Sequence, residues 1–202
     1  MFLYEKNFLD EHYHKLLKEY LNNTSDFKKN PKCSDSNKQG RLQKWFHINK
    51  VYFCPQWKVE YDWWTSFLYD DTILKIQQVV QNKINNLNHN ININSCLINK
   101  YRDGDDYIAP HRDSKLSFGD EPVICILSIG EKRVLRFTKT ELNEKNISLT
   151  KKHKDNIKID FTLEDNSIFI MSGDSQKNYS HELLKDNSIN ERYSLTFREH
   201  LF

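Results

Sequence analysis

The chain has 202 residues, with 30 lysines and arginines against 28 aspartates and glutamates, so its formal net charge is +2. This length suits one well-buried core and is short for two, which predicts a single domain over residues 1–202. A balanced charge neither requires nor excludes a polyanionic partner, so any nucleic-acid surface must be a local patch.

The compartment follows from what the sequence lacks. Charged residues interrupt the segment from Phe2 to Tyr20, so it does not resemble a signal peptide, and we found no apolar run long enough to cross a bilayer. The four cysteines are widely separated without C-x-x-C spacing, which favours free thiols in a reducing compartment. We expect a soluble intracellular protein with no membrane partner.

Helices are predicted in the amino-terminal part. Asp10 is a candidate N-cap for an amphipathic helix that ends near Asn22 and Asn23, and a polar surface loop follows from Thr24 to Gly40. Two short strands, one around Leu42–Phe46 and one at Val51–Phe53, are expected on either side of a turn at Asn49 and Lys50. Apolar residues at helical spacing then predict a second helix from Asp70 to about Asn88.

Beyond this helix the pattern changes to strands. They are predicted at Cys96–Tyr101, Val123–Ile129, Val134–Phe137, Ile157–Leu163, Ser167–Met171 and Tyr193–Phe197. Helices followed by many short strands predict an α+β, mainly β fold, a double-stranded β-helix or jelly roll with the N-terminal helices packed on one sheet. Residues 1–90 would form a helical, lid-bearing extension and residues 91–202 the jelly-roll core.

A candidate metal centre begins at His111 and Asp113. These residues are two positions apart, so on an extended segment both side chains leave the same face and can bind one ion. His181 lies on a later segment that would return beside the first strand and supply the third ligand. Two imidazoles and a carboxylate leave open positions on ferrous iron for a cosubstrate and O2. The alternative is that these residues are unrelated, because the chain has 8 histidines.

A second constellation lies near the carboxyl end. On a strand, Arg192, Ser194, Thr196 and Arg198 would share one face, opposite the apolar residues. Two arginines on an inward face require anions, and a dicarboxylate cosubstrate would supply them. One guanidinium would bind the distal carboxylate bidentately, and the other would neutralise the carboxylate at the metal. The alternative is an outward-facing strand whose arginines pair with surface acids.

Together these motifs resemble, in order, the AlkB family of iron(II) and 2-oxoglutarate dioxygenases. The resemblance covers about half the chain, from Cys96 to Arg198. The residues that carry it are Asn99–Gly104, His111 and Asp113, Ser128–Gly130 with Arg133 and Phe137, His181, and Arg192–Arg198.

The resemblance implies an enzyme that uses Fe(II), 2-oxoglutarate and O2 to demethylate N-alkylated bases in DNA or RNA, as in alkylation damage repair, releasing formaldehyde, succinate and CO2. It implies iron on His111, Asp113 and His181. The residues that it implies for the cosubstrate are Asn99, Tyr101, Arg192, Ser194, Thr196 and Arg198.

The substrate side departs from the family. Repair members carry an acidic residue just beyond the ligand pair, whereas this chain has Ser114 and Lys115, and an Asn common in the family is Ser194 here. A flipped base needs an aromatic partner, for which Phe53 is a candidate. Arg112 and Ser114 are further candidates for substrate contact.

Alternatives remain for the partner. A 2-oxoglutarate-dependent hydroxylase of a protein side chain or small molecule would use the same iron site, and a silent nucleic-acid-binding module would keep only the scaffold. Gln39 to Phe46 also matches a sliding-clamp docking pattern, although core packing explains its apolar residues. A local basic cluster is suited to binding phosphates; it consists of Lys28, Lys29, Lys32, Lys38, Arg41 and Lys44. We expect the protein to be a monomer.

Overall fold

A computed structural model describes residues 1–29, 40–55, 64–141, 151–152 and 157–202. Cys33, Lys32, Lys38 and Gln39 lie outside this part, as does most of the predicted 24–40 loop. None of the helices in the described ranges is both long and apolar enough to cross a bilayer. Compartment and oligomeric state stay predictions.

Two helices cover one face of a sheet. Helix α1 (Glu11–Asn23) begins where Asp10 accepts a hydrogen bond from the backbone N–H of Tyr13. Helix α2 (Asp71–Asn86) begins in the same way at Asp70. Both helices and the Asp10 cap were predicted, because an apolar stripe and an N-cap are local signals. Two further helices, α3 (Lys115–Phe118) and α4 (Ser175–Asn178), are single turns that the sequence did not reveal.

The described strands form two sheets. Strands of the larger, eight-stranded sheet are β1 (Phe2–Lys6), β2 (Lys28–Lys29), β3 (Leu42–His47), β4 (Phe67–Leu68), β5 (Ser95–Tyr101), β7 (Ile124–Gly130), β11 (Ser167–Met171) and β13 (Arg192–Arg198). Strands of the smaller sheet are β6 (Ile108–His111), β8 (Arg133–Glu141), β9 (Lys151–Lys152), β10 (Lys158–Leu163) and β12 (Tyr179–Leu183). The larger sheet runs in the order β1-β11-β7-β13-β5-β3-β2, with β4 beside β3, and the smaller runs β10-β8-β12-β6, with β9 beside β8.

Alternation along the central strands separates the core from the functional face. On β13, Tyr193, Leu195 and Phe197 pack with the buried residues of both helices, whereas the intervening polar residues face the other sheet. β5 and β7 alternate in the same way. The predicted mainly β jelly roll with helices on one sheet is confirmed. The division at residue 90 stays a prediction, and β1 and β3 join the same sheet as the later strands.

The predicted hairpin at residues 42–53 is wrong in its second strand. β3 pairs with β5 instead, and residues 51–53 bond to residues 64–66, with an isolated bridge between Tyr52 and Thr65. The reason is tertiary, since pairing with a central strand buries Trp45 and Phe46 in a way that a two-stranded hairpin cannot. Both side chains are 3% exposed, so neither is available to dock a sliding clamp. Strand β1 was also missed.

Candidate metal and cosubstrate site

The three candidate metal ligands lie together between the sheets. His111 ends β6 and is the register partner of His181 on β12, so the sheet itself places the two imidazoles side by side, with ring centroids 4.2 Å apart. His111 Nε2 lies 3.8 Å from Asp113 Oδ1. The ligand atoms of all three residues fall within 4.8 Å of one another, which suits a single ion.

Hydrogen bonds orient these ligands. Nδ1 of His111 lies 2.9 Å from the carbonyl of Ala109, so Nδ1–H donates there and Nε2 is the nitrogen available to coordinate an ion. The backbone N–H of Asp113 donates to Oε1 of Gln176 on α4. Between the two ligands, the Arg112 guanidinium donates to the carbonyls of Tyr179 and Lys177 and to the Thr140 hydroxyl, which ties the ligand segment to β12 and β8.

The electrostatics suit a cation. Burial lowers the pKa of both imidazoles, that of His181 to about 3, so both stay neutral and able to coordinate. Burial alone would raise the pKa of Asp113, but the charged guanidinium of Arg198 holds it below its ordinary value, so the carboxylate is ionised. Arg198 Nε lies 2.7 Å from Asp113 Oδ2.

The carboxyl-terminal arginines are buried, which excludes the outward-facing alternative. Arg192 is 1% exposed and Arg198 is 7% exposed. Nη2 of Arg192 donates to the Ser128 hydroxyl, whereas its Nε and Nη1 have no hydrogen-bond partner among the described residues. A buried guanidinium with two unmatched donors is costly, and a carboxylate ligand would satisfy both. The donor set therefore fits 2-oxoglutarate, and the His-Asp-His set fits Fe(II).

One cavity of about 190 Å³ joins these groups. All twelve predicted site residues line it, including the three substrate candidates Phe53, Arg112 and Ser114. Sequence reasoning missed four further wall residues with chemical character: Arg41, Gln43, Trp64 and Phe118. Arg41 was assigned to a surface basic cluster, yet its Nε donates to Oδ1 of Asn99 at 2.7 Å. The strand alternation of Arg41 and Gln43 was a usable signal.

Aromatic rings form one wall. Phe53 packs on Trp64 with ring centroids 4.5 Å apart and meets Phe118 edge to face at 5.5 Å. The carbonyl of Phe53 lies 2.8 Å from Nε2 of His200 and accepts a hydrogen bond from the Ser117 hydroxyl. Phe53 is only 7% exposed, so these contacts hold its ring in the wall.

The protein-family model that describes the 2OG-Fe(II) oxygenase superfamily matches residues 1–198 of this sequence. This chain belongs to that superfamily. The superfamily's cofactors, Fe(II), 2-oxoglutarate and O2, are the ones expected from the sequence. The protein is a 2OG-Fe(II) oxygenase by family, and the His-Asp-His cluster is compatible with its metal.

Curated relatives confirm the resemblance to AlkB proteins. The chain is 36% identical over 106 residues to alpha-ketoglutarate-dependent dioxygenase alkB homolog 3 of Rattus norvegicus, covering 52% of this chain and 35% of the relative. It is 30% identical over 116 residues to the DNA oxidative demethylase ALKBH2 of Arabidopsis thaliana, covering 52% of this chain and 37% of the relative. The matched region thus spans about a third of these relatives' length.

Solved structures share the fold at low identity. The structure of OsALKBH1 superimposes with a TM-score of 0.61 at 14% identity, covering 98% of this chain and 97% of that one. A prolyl-4-hydroxylase of Pseudomonas putida gives a TM-score of 0.56 at 13% identity, covering 100% of this chain and 92% of that one. These likenesses establish the fold alone.

Proposed function

We propose that this oxygenase oxidatively demethylates N-alkylated bases in DNA or RNA, releasing formaldehyde, succinate and CO2. The observation that carries the proposal is the shared cavity, in which a cluster suited to iron faces a buried arginine with unmatched donors. The identity to AlkB relatives, one of which is named a DNA oxidative demethylase, supports nucleic acid as the substrate class.

We assign Fe(II) to His111, Asp113 and His181, and 2-oxoglutarate to the Arg192 end of the cavity. When bound, iron and cosubstrate supply the oxidising chemistry. The chain's own residues hold them in place: neutral imidazoles coordinate, and Arg192 binds the distal carboxylate. Arg198 balances charge beside Asp113.

Apolar side chains, including Ile126, Leu135 and Leu183, exclude water from the reacting centre. The remaining proposed cosubstrate contacts are Asn99, Tyr101, Ser194 and Thr196.

The aromatic wall supports a base as substrate. A methylated base must leave the helix stack to reach a buried metal, and a ring pair such as Phe53 and Trp64 offers a surface for stacking. Arg41 and Ser114 are half-buried in the cavity wall, so they lie where a ligand could reach them. Arg112, whose guanidinium is bonded to backbone carbonyls, supports the ligand segment in addition to any substrate contact.

The activity is testable with methylated oligonucleotides. Purified protein with Fe(II), 2-oxoglutarate and O2 is expected to remove methyl groups from 1-methyladenine or 3-methylcytosine, with one formaldehyde formed per methyl lost. Mass spectrometry of the oligonucleotide and a formaldehyde assay measure both products. Succinate formation without demethylation of any methylated DNA or RNA would instead favour a protein side chain or small molecule as substrate.

A second test of the proposed base substrate uses the charge of the methylated base and substitutions at Ser114. Its hydroxyl accepts from the N–H of Ser117 as the N-cap of α3, a role that Asp and Asn also fill, so both replacements should fold. Ser114→Asp adds a carboxylate to the cavity wall and is expected to raise kcat/KM for cationic 1-methyladenine about three- to tenfold relative to neutral 3-methylthymine. Ser114→Asn, which adds no charge, should leave this ratio unchanged. Equal ratios for both variants would place residue 114 away from the base.

A further inference from the structure

A polar row crosses the larger sheet on its cavity face. Gln43 on β3 is the register partner of Asn99 on β5, which is the partner of Ser194 on β13, which in turn is the partner of Ser128 on β7. Directly opposed residues on neighbouring strands project to the same face, so these four side chains form one line. All four are buried, at 1 to 3% exposure. Ser128 accepts the hydrogen bond from Arg192, so the row ends beside the proposed cosubstrate arginine.

The direction of hydrogen bonding at Asn99 is decided by Arg41. A guanidinium has donors only, so the atom of Asn99 that lies 2.7 Å from Nε of Arg41 must be the oxygen, Oδ1. The same oxygen accepts from Nε2 of Gln43 at 3.2 Å. Two donors on Oδ1 leave Nδ2 pointing the other way, toward the Ser194 hydroxyl at 3.3 Å. An amide that could otherwise flip is thereby held in one orientation.

This orientation matters for an anionic ligand. A carboxylate accepts hydrogen bonds and repels an amide oxygen, so Asn99 helps to bind it only when Nδ2 faces the ligand. The contact of 3.3 Å with Ser194 is long for a hydrogen bond, which leaves Nδ2 able to donate elsewhere. Arg41 is half-buried and Gln43 is buried, so the two donors hold the amide from the β3 side of the cavity.

We propose that Arg41 and Gln43 are positioning residues that hold the Asn99 amide with Nδ2 available as a donor to the 2-oxoglutarate carboxylate. This inference rests on the proposed function, because it takes 2-oxoglutarate as the ligand of the same cavity. It assigns Arg41 a role at the cosubstrate in place of the surface phosphate contact expected from the sequence.

The test is a thermodynamic cycle on cosubstrate binding. Isothermal titration calorimetry with Mn(II), which replaces iron without turnover, gives the Kd of 2-oxoglutarate for Arg41→Met, Asn99→Ala and the double variant. Arg41→Met alone should raise Kd about tenfold. In the Asn99→Ala background the same change should alter Kd less than about twofold, because its target is gone. Gln43→Glu places a carboxylate against Oδ1 of Asn99 and should raise the Kd of 2-oxoglutarate similarly. Gln43→Met removes the Gln43 donor without adding a charge, so it tests the loss of that hydrogen bond alone.

The outcomes separate this inference from the function it rests on. Arg136→Met is the matched control, since Arg136 pairs with Asp160 on the surface, and its Kd should equal that of the wild type. Equal Kd values for Arg41→Met and wild type, or an Arg41→Met effect that persists fully without Asn99, would overturn the positioning role alone. A wild-type protein that binds no 2-oxoglutarate with Mn(II) would overturn the proposed function as well. In turnover, the KM for 2-oxoglutarate should rise while kcat changes little.

Discussion

His111→Ala is expected to abolish turnover, by at least about 100-fold, while leaving the fold intact. The ring is half-buried and its only hydrogen bond among the described residues runs to the carbonyl of Ala109, so its removal costs little packing. The free energy of unfolding of the metal-free protein should therefore stay within about 1 kcal/mol of wild type. The stabilisation that Mn(II) confers on the wild type, read as a shift in Tm, should disappear.

His12→Ala provides the matched control for this experiment. His12 is an exposed histidine on α1, remote in the fold from the cavity lining, so its loss should change neither Mn(II) stabilisation nor turnover. Full activity in His111→Ala would refute the ligand assignment. A large fall in the stability of metal-free His111→Ala would instead show that the His111 ring contributes to the stability of the fold.

The second large effect is expected at two buried arginines that differ in their partners. Arg133 is 2% exposed, and its Nε lies 3.0 Å from Asp186 Oδ2 while its Nη atoms donate to backbone carbonyls, including those of Asp103 and Asp106. Arg192 is as deeply buried but has two nitrogens without a hydrogen-bond partner among the described residues. A satisfied buried charge contributes to the fold, whereas an unsatisfied one is costly until a ligand arrives.

Arg192→Met and Arg133→Met should therefore act in opposite ways. Arg192→Met should leave the ligand-free protein as stable as wild type, or up to about 2 kcal/mol more stable, because a desolvated charge is replaced by an apolar chain of similar length. It should raise the Kd of 2-oxoglutarate at least about 30-fold. Arg133→Met should lower the free energy of unfolding by about 3–5 kcal/mol, because it leaves several buried acceptors unpaired.

Urea denaturation of the ligand-free variants and calorimetry with 2-oxoglutarate measure the two quantities separately. The assignment of Arg192 to the cosubstrate fails if its replacement destabilises the protein as much as that of Arg133. It also fails if the variant still binds 2-oxoglutarate with wild-type affinity.

Local patterns explain which elements were predictable. The Asp10 cap and the apolar stripe of α2 each depend on residues that are only a few positions apart in sequence, so local residue type and spacing indicated them. The same holds for the alternation of β13, which set Arg192 and Arg198 on one face before any fold was known. The short strand β1 has no such signal, since its pairing with β11 joins residues far apart in the chain.

The error at residues 51–53 has the same origin. The chain does bend at Ile48 and Asn49, where His47 Nδ1 accepts the N–H of Asn49, but the strand before the bend pairs with β5. Local turn chemistry identified the bend correctly and the partner wrongly, because strand pairing is decided by which faces can be buried together.

The amino-acid sequence by itself indicated candidate ligands: a His-x-Asp pair and a distant histidine for a metal, and two alternating arginines for a diacid, through residue type and spacing. Only the tertiary structure decided that His111 and His181 are opposed across one strand pair, that Arg192 is buried with unmatched donors, and that Arg41 turns inward to Asn99. The physical reason is that side-chain direction follows from local backbone geometry, whereas proximity and burial depend on pairing between strands that are distant in sequence.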